Sequence, residues 1–134
     1  MNTAEPQMRN LLTATAVIES GAGIMMLALP SLAAKLLLGS SIDSAVGLTV
    51  ARVAGVALLA LGVACWLARS DGKSDAAKGL IGAMVIYNAG VAAVLVYASL
   101  GLKLSTFGLW PVVLLHAVMT VWCIMGLLKR SART

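Results

Sequence analysis

A chain of 134 residues that is 60% hydrophobic and only 11% charged, with a mean hydropathy of +0.98, is too apolar for a soluble domain, which runs near a quarter charged. Its net charge of +5 comes from Lys and Arg dispersed along the flanks of apolar segments, which argues against a nucleic-acid partner. One histidine and two cysteines without Cys-x-x-Cys spacing argue against a metal site or a thiol oxidoreductase. Neither a Gly-rich phosphate loop nor a Ser/His/Asp set is present, so no cofactor and no enzymatic activity are expected.

Taken in chain order, the first long apolar segment covers residues 11–29, with Glu19 as its sole charge. About 20 helical residues cross a bilayer core of about 30 Å, so this segment is long enough to span. It is also longer than the apolar core of a secretory signal, and it holds a glutamate, so it reads as a span rather than a cleaved leader. Pro30 ends or kinks this helix, and residues 31–38 form a short apolar-faced piece from which Lys35 can snorkel. Residues 39–44 make a turn, with Asp43 or Ser44 as the N-cap of the next helix. The second span covers residues 44–68 and contains only Arg52 as a charge. A polar loop centred on Asp71-Gly72 follows. The third span, residues 79–100, lies within a charge-free run and carries Asn88 at its middle. A turn over 101–106 leads into the fourth span, residues 107–128, which carries His116 and has Pro111 in its first turn.

Short connections between consecutive spans predict an all-α integral membrane protein: an up-down bundle of four transmembrane helices, 1–134 forming one domain. Outside the spans, seven Lys and Arg fall on one side (Arg9, Arg69, Lys73, Lys78, Lys129, Arg130, Arg133) and two on the other (Lys35, Lys103). Cytoplasmic loops carry the excess of basic residues, so both termini are expected in the cytoplasm. The lipid bilayer is the expected partner, together with a second copy of the chain or another membrane subunit.

Each span thus carries one strongly polar residue near its centre: Glu19, Arg52, Asn88 and His116. Counted from the helix starts, all four lie roughly 12–15 Å deep, in one slab. A charge at that depth costs about 2.5–3.5 kcal/mol on insertion scales and usually faces protein. Helical spacing sets Thr15 on the Glu19 face, Gly55, Leu59 and Gly62 on the Arg52 face, and Thr120 and Cys123 on the His116 face. Tyr87 adjoins Asn88. The expected cluster is a Glu19–Arg52 ion pair assisted by Asn88 and His116, with Thr15, Tyr87 and Thr120 around it. Such a cluster either fixes the geometry of a non-enzymatic bundle (a subunit, scaffold or small-ligand binder) or forms the ligand or proton site of a proton-linked transporter.

The layout, with the second span running Ala51-Arg52-Val53-Ala54-Gly55 through Leu61-Gly62, resembles the DoxX-like group of small four-helix bacterial inner-membrane proteins. That resemblance implies a bacterial inner-membrane location and assigns no catalytic residue.

Overall fold

The computed structural model describes residues 4–72 and 74–131; Lys73, Arg133 and the side chain of Arg130, three of the seven basic residues on the crowded side, lie outside the described set. The chain forms five helices: α1 (Ala4–Ala28), α2 (Pro30–Leu38), α3 (Ala45–Ala68), α4 (Asp75–Leu100) and α5 (Leu109–Ser131). Four of them are long and apolar enough to cross a membrane, over Pro6–Ala28, Ala45–Ala68, Asp75–Leu100 and Leu109–Lys129. α1 and α4 begin earlier than residues 11 and 79 because polar first turns extend them beyond their apolar stretches.

Local chemistry sets the breaks. Pro30 has no N–H to continue α1, and it starts α2 instead. Gly39 ends α2 in the left-handed conformation, φ 78°, which a residue without Cβ adopts freely. Ser44 caps α3 by accepting from Gly47 N at 3.0 Å, which decides between Asp43 and Ser44. Ser74 does the same for α4, accepting from Ala77 N at 3.1 Å, with Asp75 in the first turn complementing the helix dipole.

The helices associate as two pairs. α1 packs along α3, and α4 along α5; between the pairs, α1 meets α5 and α3 meets α4 less extensively. The α1/α3 pair is antiparallel and bound by glycines. A Cβ at Gly23 would lie 2.8 Å from Gly55 O and 2.9 Å from Leu59 N; one at Gly55 would lie 2.9 Å from Gly23 O. At Gly62 it would lie 3.0 Å from Ser20 N and 3.1 Å from Ala16 O. This backbone-to-backbone approach gives the two helices close dispersion contact without large interlocking side chains.

The connections gather at two ends. At the termini end, Met8 lies against Gly72 and Gly126, and Lys129 Nζ donates to Gln7 Oε1 at 3.1 Å. At the α2 end, the Thr106 hydroxyl donates to Leu36 O and to Leu37 O, the latter at 3.1 Å, tying α2 to the turn before α5. Ser31 Oγ donates to Ile42 O at 2.6 Å and holds α2 to the turn before α3.

Between the pairs lies a buried apolar cluster: Met8, Leu11, Leu12 and Ala16 from α1, Cys65 from α3, Ile81 and Met84 from α4, Met119 and Cys123 from α5. Every member sits on the termini side of the level marked by Glu19, Asn88 and His116.

Candidate functional site

That level is a polar layer. Glu19 is 2% exposed, Asn88 1% and His116 8%. Asn88 Nδ2 donates to Met84 O at 2.8 Å, one turn back on its own helix. This fixes the amide orientation and turns Oδ1 toward His116, whose Nδ1 lies 2.8 Å away. With the amide so oriented, Nδ1 is the nitrogen that carries a hydrogen, and Nε2 is left for other chemistry. The Tyr87 ring meets the His116 ring edge-on, centroids 5.8 Å apart and planes at 74°. On its other side the Tyr87 hydroxyl neighbours the Glu19 carboxyl. Glu19, Tyr87, His116 and Asn88 are thus neighbours across α1, α4 and α5.

Thr15 and Thr120 flank the layer and satisfy themselves locally. Thr15 Oγ1 donates to Leu11 O at 3.0 Å and Thr120 Oγ1 to His116 O at 2.8 Å. Cys65 lies within electrostatic reach of Glu19 and of Cys123. Spacing alone disclosed no link between Cys65 and Glu19. It becomes visible only when α3 is seated on α1 through Gly55 and Gly62.

Arg52 departs from expectation. It is exposed, and its Nε donates to Leu27 O at 3.4 Å; no ion pair with Glu19 forms. The inward face of α3 runs through Ala51, Gly55, Gly62 and Cys65, all buried. Arg52 is one residue, about 100° of helix rotation, off that face. Packing explains the choice: Gly55 and Gly62 must face α1 for the backbones to meet, and the long guanidinium stem can reach an interface from outside the bundle. Its bond falls on a carbonyl in the last turn of α1, where the Pro30 break interrupts the helical ladder and a cation complements the dipole.

With Arg52 turned outward, Glu19 has no cationic partner, and its Oε2 is buried without a hydrogen bond among the described residues. Also among those residues, no group of three His, Cys, Asp or Glu is placed to hold a metal ion. A groove of about 450 Å³ lined by Gln7, Ala117, Val118, Val121, Trp122 and Met125 lies on the outside of α5, apart from the polar layer. Its apolar lining suits an acyl chain better than a polar solute. No family model, no curated protein and no solved structure matches this chain.

Proposed function

We propose that this chain is a multi-pass protein of a bacterial inner membrane, an up-down four-helix bundle with both termini in the cytoplasm. In this reading it is non-enzymatic and binds a small ligand at the polar layer between its helix pairs. The observation that carries the binding role is Glu19: a buried carboxyl with one oxygen that has no hydrogen-bond partner among the described residues. Buried polar groups are normally satisfied, and an exception in a native interior calls for a missing partner. A purely structural cluster would be expected to close on itself, as Asn88 and His116 do.

The membrane assignment is supported by the four apolar helices and by exposed large hydrophobics along them, including Val50, Val53, Ile86, Val94, Leu114 and Val118. The resemblance of the sequence layout to DoxX-like proteins and the basic residues near the termini end support the location and orientation. Reporter fusions test the latter: a fluorescent protein at either terminus should glow, and alkaline phosphatase there should stay inactive.

A second reading, a proton-linked transporter or permeation element for a small solute, draws on the absent Glu19–Arg52 pair, which leaves an ionisable side chain at bilayer depth. The binding role is tested by melting the detergent-solubilised protein against a panel of small anionic, neutral and cationic solutes. A true ligand raises the melting temperature of the parent and leaves Glu19→Gln unmoved, since only a species bound to the native state stabilises it. A panel that moves neither protein would overturn the reading.

A further inference from the structure

Glu19 Oε2 has no donor within hydrogen-bond reach among the described residues, and the groups that face it are all ordinarily neutral. Its own helix offers Thr15, already committed to Leu11 O; α3 offers the Cys65 thiol; α4 offers the Tyr87 hydroxyl. From α5, His116 stands behind Tyr87, and Cys123 lies near Cys65. Arg52, the cation at comparable depth, faces away. A carboxylate in this place has no counter-charge and little solvent, which is the costliest condition for an ion in a protein interior. The smallest ligand that removes the cost is a proton, which requires no cavity.

The position of Glu19 gives that proton a mechanical consequence. The carboxyl is on α1 and the neighbouring Tyr87 on α4, so the two groups face each other across the helix pairs. The main apolar cluster lies on the termini side of this contact, while fewer buried apolar side chains, Leu95 and Leu109 among them, lie on the α2 side. Toward the α2 end, Gly23 and Gly55 pack within one pair, and the pairs are tied to each other through Thr106 and α2 at the surface.

We propose that Glu19 is a reversible proton-binding site whose proton keeps the α1/α3 pair docked against the α4/α5 pair. Loading adds a proton from water to a carboxylate oxygen; one O–H bond forms, the charge disappears, and no electron is transferred. Release leaves a charge that draws water into the layer and loosens the seam. The proposal deepens the binding reading above, naming the proton as a ligand of the same layer.

Infrared difference spectroscopy of the full chain in lipid nanodiscs, from about pH 4 to about pH 10, tests the site. The parent should show a protonated-carboxyl C=O stretch that vanishes as pH rises, and Glu19→Gln should lack it. Absence of any titrating band from a buried carboxyl, or an identical band in Glu19→Gln, overturns the assignment. Should Glu19→Gln not fold, Tyr87→Phe serves: loss of the hydroxyl must shift the band, and an unshifted band overturns it. The docking role is read from the native thiols. At the alkaline end, N-ethylmaleimide should modify Cys65 and Cys123 about tenfold faster in the parent than in Glu19→Gln, because opening exposes them. Equal rates overturn the latch. Solute-dependent melting without a titrating band would sink the proton site and leave the binding reading standing; a titrating band without any solute effect would do the reverse.

Discussion

The two halves of the bundle, on either side of the polar layer, are held together differently. On the termini side, large side chains from α1, α4 and α5 interlock, Leu11 and Leu12 with Ile81, Met84 and Met119, around the buried Cys65 of α3 and Cys123 of α5. On the α2 side, Gly23 meets Gly55 within one pair, Leu95, Ala98 and Leu109 are buried, and Thr106 ties α2 to the turn before α5. The layer of ionisable and polar groups lies at the boundary between the two.

This contrast can be broken by truncating the core. Leu12→Ala, at a site 1% exposed, should lower the unfolding free energy by about 2–4 kcal/mol in a denaturing-detergent titration, through lost contacts and the cavity left behind. Next in size is Gly55→Ala. Its Cβ would press on backbone at Gly23 O, so the α1/α3 pair must part, at about 1–3 kcal/mol. Gly90→Ala is its control on α4, where a Cβ meets nothing within 4 Å. There the same change should be neutral or stabilising by up to about 1 kcal/mol, because alanine is the better helix former.

Within the layer, Asn88→Leu strips His116 Nδ1 of its acceptor and should cost about 1–3 kcal/mol, with a matching change in the His116 ring signals by NMR. The smallest expected effect is a coupling. In a melting double-mutant cycle of Glu19→Gln and Arg52→Gln, the interaction energy should stay below about 0.5 kcal/mol, because the two side chains share no contact. A coupling several times larger would show that Arg52 neutralises Glu19 after all and would remove the basis for an unpaired carboxyl.

Much of the fold was legible along the chain because spanning length, proline and cap residues are local properties. Residues 44–68 matched α3 to within one residue, and Pro30 split the first helix from the short second one. Ends that lay in polar sequence were less legible: α4 starts at Asp75 through the Ser74 cap, four residues before the apolar run. At the site, Glu19, Asn88, His116 and the neighbouring Tyr87 do converge, as depth and helix face indicated. Arg52 does not, and periodicity could not have shown it. Gly55 is three residues from Arg52 and four from Ala51, so it shares a helical face with either.

By itself, the sequence determined how many helices are long and apolar enough to cross a membrane, where they break, and which polar side chains sit at their middles. These are one-dimensional facts, set by hydropathy, length and backbone chemistry. Only the tertiary structure decided how each helix is turned about its axis. That rotation is set by which surfaces let backbones approach, and glycines facing α1 outweighed a charge that could reach outward. It placed Arg52 outside, left Glu19 without a counter-charge, and put the shared apolar core on one side of the polar layer.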